Sequence, residues 1–549
     1  MNESKYEHII HPFPPLYNSE SRILILGSLP SVKSREQMFF YGHPQNRFWK
    51  MISGVFEEAV PQTIEEKKAF MLKHNIAMWD TIYSCDIIGS SDSSIKNVVP
   101  TDLKSIIDNS KIEKVICNGK TSGKYYEKYQ VKRGLRNSDG SGVMAGITNI
   151  CTVHGYVMSE GEKIPDTGML TYRGINVRDI VSGCDRDDRF GYEETAWLLL
   201  FGTLPDAQRL ERFRELLSKC RELPEFFAED MIIKAPSVNI MNKLARSVLA
   251  LYSYDDNPDE TTVQNVLRQS ITLIAQLPTI MNYAYQVKRR QFDRQSMYFH
   301  PLNPAHSTAE MILSSMRPDM HFTHEEARLL DTCLILHAEH GGGNNSTFAA
   351  RVLSSSCTDT YSAIAAAIGA LKGPRHGGAN IKTVEMLDYI KAGVKDYGDD
   401  EEIAAFLRKI IAKEEGDRSG LIYGMGHAVY TISDPRADIL KSRATALAEE
   451  RGFADDLRLL DAVERLTPGV FAEKKGSAKY ICANVDLYSG LVYRILGIPP
   501  ELYTPIFAVS RMAGWCAHRI EELVWGGRII RPAYKSTSHP EKYLPLNER

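Results

Sequence analysis

The chain has no CxxC pair, no long apolar run and almost no net charge, and each absence removes a class of protein. Nine cysteines lie scattered through 549 residues, an odd number without paired spacing. Neither a disulfide framework nor a cysteine-rich zinc module is written this way, so reduced intracellular thiols are expected. No apolar stretch approaches the ~18 residues that a membrane helix needs. Met1–His8 has no apolar region behind a basic start, so a soluble, cytoplasmic protein is expected. A formal net charge of −3 gives no electrostatic argument for a polyanionic partner. Repeats and low-complexity tracts are also missing. What is present is length enough for two to four domains at roughly 150 residues each. Apolar and charged fractions of 43% and 25% can fill an ordinary globular core.

Residues 1–130 alternate strand and helix signals. Ile23-Leu-Ile-Leu26 is a short apolar run closed by Gly27-Ser28, and Ile76–Ile82 and Val115–Cys117 read the same way. Asn46–Phe56, Ile64–His74, Asp102–Asp108 and Lys120–Tyr129 have helical spacing. The alternation predicts a parallel sheet covered on both faces, a three-layer α/β/α domain. Ligands on such sheets meet the carboxyl ends of strands, here Gly27-Ser-Leu-Pro-Ser31, Asp80-Thr81 and Asn118-Gly119.

These words, with Tyr41-Gly-His-Pro-Gln-Asn-Arg-Phe-Trp49, Met78-Trp-Asp80 and Gly89-Ser-Ser-Asp-Ser-Ser-Ile95, make the segment resemble the uracil-DNA glycosylase superfamily, in its deoxyinosine/hypoxanthine branch. The resemblance implies a pocket for a flipped-out base, lined by Gly27, Ser28, Asn46 and Asn118, with Asn46 nearest the chemistry. The pattern departs from that family where a fourth strand and a Ser/Pro-rich DNA-gripping loop would follow. A formal charge of +1 over residues 1–130 offers DNA no basic footprint. A truncated domain without base excision is expected, with DNA glycosylase activity or DNA binding as the alternative of another class.

From residue 131 onward amphipathic helices dominate, as in Val263–Arg289, Ala327–His337, Ile403–Ile411 and Asp456–Leu466. Gly373-Pro374, Asp434-Pro435 and Pro499-Pro500 punctuate them, and Gly146–Val157 with Gly168–Tyr172 reads as a small hairpin. His337-Ala-Glu-His340 is not the HExxH zinc pattern and shows no third ligand, so no metal is expected. The glycine run after His340 follows a helix and lacks the P-loop lysine. Chemistry-bearing residues stand instead beside helix breaks: His376 between glycines, His427 in Gly424-Met-Gly-His, Arg436 in Asp-Pro-Arg, Asp486 in Asn-Val-Asp, then Arg511 and Arg531.

That ordered set, with Tyr172-Arg-Gly-Ile-Asn-Val-Arg-Asp179, is similar to the citrate synthase family over almost all of residues 131–549. The resemblance implies an acyltransferase that condenses acetyl-CoA with oxaloacetate without a cofactor. It implies Asp486 as base, His376 as donor to the enolate oxygen and His427 as donor to the ketone of oxaloacetate. Arg436, Arg511 and His340 are implied as oxaloacetate contacts, with Arg531 reaching in from the second subunit of a homodimer. Leu421, Tyr423, Gly424 and Gly426 would meet CoA, and Lys474, Lys475 and Lys479 are candidate phosphate partners. The implied fold is mainly α, with a large domain of residues 131–380 and 499–549 and a small domain of residues 381–498 that closes over the substrates. A 2-methylcitrate synthase using propionyl-CoA is the near alternative, since one methylene is worth only ~1–3 kcal/mol in a pocket.

Overall fold

The computed structural model describes residues 6–43, 46–89, 94–126, 148–159, 162–475, 480–526 and 528–532, with 537, 543 and 545–548 beyond them. The chain divides into two compact units, Met1–Met144 with Pro532–Arg549, and Ala145–Arg531.

The first unit contains strands β1 (Glu7–Ile10), β2 (Ile23–Gly27), β3 (Ile76–Asp80), β4 (Ile82–Ile87), β5 (Lys96–Pro100) and β6 (Lys114–Cys117). The three apolar runs form one parallel sheet in the order β3-β2-β6, with Gly27 opposite Asp80 and Leu26 opposite Cys117. β2 and β3 are buried along almost their whole length, as continuous apolar strands must be to keep both faces dry. Phe39, Phe40, Phe48, Trp49, Phe70 and Met71 pack against them. The helix Ile64–Lys73 starts where expected because Thr63 and Glu66 form a capping box. A second sheet, antiparallel in the order β1-β4-β5, departs from the all-parallel expectation. β1 and β5 are mostly exposed four- and five-residue strands, so they carry no apolar run for a sequence reading to find. The helix Lys120–Tyr126 is described to Tyr126, and residues 127–129 of the expected helix lie outside the described residues.

The second unit is helical apart from a hairpin, β7 (Cys151–Ser159) with β8 (Glu162–Tyr172), and a two-residue strand, Ile175–Asn176. The hairpin is longer than expected, and residues 146–147 of the expected segment are outside the described residues. The helix Tyr503–Trp525 runs through the core, against Val263–Gln291, Asn345–Ser354, Thr360–Lys372, Tyr192–Phe201 and His324–His337. Pro278 and Pro468 sit inside Val263–Gln291 and Ala454–Lys475 without ending them. A proline inside a helix costs about 3 kcal/mol, which burial of a long apolar face offsets. Thr360–Lys372 ends at Gly373, as the Gly-Pro pair requires. No described helix is long and apolar enough to cross a membrane.

Candidate active site

Three breaks between helices converge in the second unit. The first is the turn from Gly373 to Gly378, closed by His376 N–H donating to the Gly373 carbonyl at 2.9 Å. Gly377 is obligatory there: a Cβ would lie 2.2 Å from the Leu371 oxygen and 2.6 Å from Thr504 Cγ2. Thr504 Oγ1 donates to the Gly377 carbonyl at 2.8 Å, tying the turn to the start of the Tyr503–Trp525 helix. His376 Nε2 lies 3.0 Å from Ser346 Oγ.

The second break is the loop ending at His427. Gly424 has φ of +79°, and a Cβ there would fall 2.8 Å from Leu487 Cα. This close approach lets Gly426 N–H donate to the Cys482 carbonyl and Asn484 N–H to the Gly424 carbonyl, both at 2.8 Å. Asn484 Nδ2 also donates to the Gly426 carbonyl at 2.9 Å, while its Oδ1 accepts from Asp486 N–H at 3.0 Å and caps the helix Val485–Ile495. One asparagine therefore connects the His427 loop to the helix turn that carries Asp486. His427 Nδ1 accepts from the backbone N–H groups of Val429 and Tyr430, both at 3.1 Å. A neutral ring so held carries its proton on Nε2.

The third group is cationic. Arg436 Nε and Nη2 donate to the two carboxylate oxygens of Asp434 at 3.0 and 2.7 Å, a buried fork that fixes the guanidinium plane. Asp434 also caps the helix Pro435–Glu450 by accepting from Arg436 N–H. Arg511 is fully buried; its Nε donates to the His337 carbonyl at 2.6 Å, and its Cζ lies 4.7 Å from the Phe507 ring centroid. Among the described residues, neither Nη1 nor Nη2 of Arg511 has a hydrogen-bond partner. His340 Nε2 and both ring nitrogens of His337 share that condition. The His340 ring lies 5.0 Å from His427 and 5.6 Å from Tyr430, while His427 and Tyr430 are 4.6 Å apart.

The electrostatics follow from burial among arginines. Burial first, then Arg511, depresses His376 to about 4. Burial and Arg436 bring His427 to about 4 as well, and His340 is held well below the usual range by burial and the same arginines. All three are neutral at pH 7. Asp486 moves the other way: burial raises it to about 6, Asp434 adds to the rise, and Arg436 and Arg511 oppose it. Asp486, of raised basicity, thus shares the field of Arg511 with neutral His376 and that of Arg436 with neutral His427.

Exposed Leu421 and half-buried Tyr423 line a hollow with Lys382, Glu385, Tyr389 and Asp417. Tyr423 donates its hydroxyl to Asp417 at 2.7 Å. Gly424 and Gly426, further along the loop, both have positive φ. Lys474 donates to the Ile411 carbonyl at 2.7 Å, a helix-end contact, and Lys479 lies outside the described residues. Arg531 is exposed and, among the described residues, bonds to none of the cluster in its own chain. Among those residues no group of His, Cys, Asp or Glu is placed to hold a metal ion. The sequence reading missed Ser346, Asp434 and Tyr430 as site members; the N-cap position of Asp434 was the one available signal.

In the first unit, Gly27 and Asn118 stand at the ends of β2 and β6 as expected, and Ser28 supplies the carbonyl that Ile82 N–H meets at 3.1 Å. The structure adds residues that were not expected. Buried His11 contacts Asp80 Oδ2 through Nε2 and the Phe13 carbonyl through Nδ1, both at 2.9 Å, and the Tyr41 hydroxyl bonds to Asn118. Asn46 is exposed, and its Oδ1 accepts from Phe48 N–H at 2.9 Å.

Comparison with known proteins fits this geometry. The family model "Citrate synthase, C-terminal domain" matches residues 139–533, and that of the uracil DNA glycosylase superfamily matches residues 14–163. A citrate synthase of Acidithiobacillus ferridurans is 34% identical over 388 residues, 70% of this chain and 93% of that protein. The 2-methylcitrate synthase 1 of Corynebacterium glutamicum is 30% identical over 422 residues, 76% of this chain and 99% of its own length. A Thermoplasma acidophilum citrate synthase, solved with carboxymethyl coenzyme A and oxaloacetate, aligns with a TM-score of 0.61 at 28% identity, covering 76% of this chain and 99% of that one. Fold and site together define an acyltransferase. The chain belongs to the citrate synthase family.

Proposed function

We propose that this chain condenses acetyl-CoA with oxaloacetate and hydrolyses the resulting thioester to citrate and CoA, without a cofactor. The observation that carries the reading is Arg511, a buried guanidinium whose two terminal nitrogens have no protein partner among the described residues. Leaving such donors unsatisfied costs ~1–3 kcal/mol or more each, which a carboxylate of oxaloacetate would offset as a bidentate acceptor. Arg436, aligned by Asp434, and His340 complete the anion site, and Arg531 of a second copy would join them in a homodimer.

A thioester methyl is a very weak acid, so its proton leaves only if a base and an oxyanion donor act together. Asp486 takes the proton, and neutral His376 donates to the enolate oxygen. The enolate carbon then attacks the ketone carbon of oxaloacetate, whose oxygen takes a hydrogen bond and then the proton from His427 Nε2. CoA would lie along Leu421–Gly426, and the Thermoplasma acidophilum relative was solved with a CoA analogue. The small domain, residues 381–498, closes over the substrates in this reading.

Propionyl-CoA is the second candidate donor, supported by the 2-methylcitrate synthase among the relatives. Free thiols throughout the chain are in keeping with a cytoplasmic enzyme. The N-terminal unit is proposed to lack base excision, since the residue nearest the expected chemistry, Asn46, has its side-chain oxygen engaged by Phe48 N–H. The deciding experiment is CoA release by the purified protein with oxaloacetate and either acetyl-CoA or propionyl-CoA, with Asp486→Asn as control. Thiol release from neither thioester would overturn the reading.

A further inference from the structure

A buried carboxylate stands beside the fork proposed for oxaloacetate, and the two are not bonded. Glu339 is fully buried, and its Oε2 has no hydrogen-bond partner among the described residues, just as Nη1 and Nη2 of Arg511 have none. Both lie along one seam. Arg511, Gly514 and His518 share one face of the Tyr503–Trp525 helix, at spacings of three and four. Glu339 lies over the bare middle of that face, where a Cβ on Gly514 would fall 2.2 Å from its Oε2. The two charges feel each other. Burial works against the Arg511 charge and Glu339 supports it. Burial also works against the Glu339 charge, while His518 and Arg511 support it and leave the carboxyl below its usual range. An unrestrained carboxylate there would close on the guanidinium as a bidentate partner and take the place of the substrate.

Two tethers hold it back. Glu339 Oε1 accepts from Gly341 N–H at 2.6 Å, and it stands 3.1 Å from His518 Nε2 in a bent contact. The state of that imidazole is set from behind. Arg351 Nη1 lies 2.9 Å from His518 Nδ1, and a guanidinium only donates, so Nδ1 carries the lone pair and the ring proton is on Nε2. Arg351 is itself fixed by Glu521 at 2.9 Å and Glu522 at 3.0 Å. His518 therefore turns a proton, and not a lone pair, toward Glu339.

We propose that His518 is a positioning residue that holds Glu339 off the Arg511 fork, so that the guanidinium stays open to a dicarboxylate. The proposal rests on the reading of Arg511 as the oxaloacetate fork. Without His518, one backbone N–H is the remaining tether, and the carboxylate can swing from Gly514 toward Arg511, one helical turn away.

The test is oxaloacetate affinity of the full-length protein by calorimetry, with KM and kcat for condensation beside it. His518→Phe should weaken oxaloacetate about tenfold, as when Glu339 fills the fork in about nine molecules of ten, and leave kcat at saturation within about twofold. Adding Glu339→Gln, which keeps an acceptor for Gly341 N–H and loses the charge, should return affinity to within about threefold of wild type. A purely structural role for His518 would give no such reversal. Should His518→Phe fail to fold, His518→Asn keeps an acceptor for Arg351 in the Nδ1 place and removes the contact at Nε2, and the same pair of measurements applies. Unchanged affinity in the His518 variant, or a loss that Glu339→Gln does not reverse, would overturn the proposal. A wild type that binds no oxaloacetate would overturn both it and the role of Arg511. Binding with the reversal but without condensation would count against the proposed function alone.

Discussion

A carboxyl group in water would be a poor base for a thioester methyl, and burial is what improves Asp486. Raised to about 6, it is ionised and able to accept a proton above that pH, and protonated and idle below it. We therefore expect kcat with acetyl-CoA to fall as pH drops through about 6, along one acid limb. His376 and His427, both near 4, add no second limb in that range. Asp486→Asn should lower kcat by ~10²–10⁴; a profile flat down to pH 5 would contradict the assignment. Arg511 makes the opposite wager, a charge kept dry for a ligand. Arg511→Met should weaken oxaloacetate about 10²-fold, the value of two charge-assisted hydrogen bonds. It should also abolish the rise in Tm that oxaloacetate causes, without lowering the ligand-free Tm. A large fall in the ligand-free Tm would show that the guanidinium is structural.

At the scale of elements, catalysis depends on how closely two segments some sixty residues apart are joined. The Gly424–His427 loop and the Cys482–Asn484 segment are held by backbone hydrogen bonds that a side chain at position 424 would block. Gly424→Ala combines positive-φ strain of about 1–3 kcal/mol with a clash against Leu487. The loop would shift to relieve it and move His427 relative to Asp486. Misplacement by about 1 Å costs on the order of 10² in rate, so kcat should drop by that factor while far-UV circular dichroism stays unchanged. Unaltered kcat would mean that the stitching does not align the two residues. Helices were legible from apolar spacing, caps and Gly-Pro breaks. The antiparallel sheet of β1, β4 and β5 was not, because its outer strands are short, exposed and lack an apolar run.

For the whole molecule, Arg531 is exposed in its own chain, and the proposed function has it complete the active site of a second copy. Asp486→Asn and Arg531→Leu proteins should each be nearly inactive. Mixed under conditions that allow exchange, they should regain about a quarter of wild-type activity, since half the dimers are mixed and each has one complete site. No recovery, with mixed dimers shown to form, would place Arg531 elsewhere. The N-terminal unit is expected to leave uracil- and inosine-containing DNA intact, with no abasic sites above those of an Asn46→Ala control. Base release that Asn46→Ala abolishes would assign it a second activity.

The sequence by itself determined the order of His376, His427, Arg436, Asp486 and Arg511, the helices that carry them and the breaks that free them, because spacing, capping and Gly/Pro stereochemistry act locally. It could not set the basicity of Asp486, the neutrality of the histidines or the tautomer of His427. Those depend on desolvation and on charges that only packing brings near. Ser346 and Tyr430 were illegible for the same reason: a hydroxyl and a phenol are ordinary residues until the fold places them beside an imidazole.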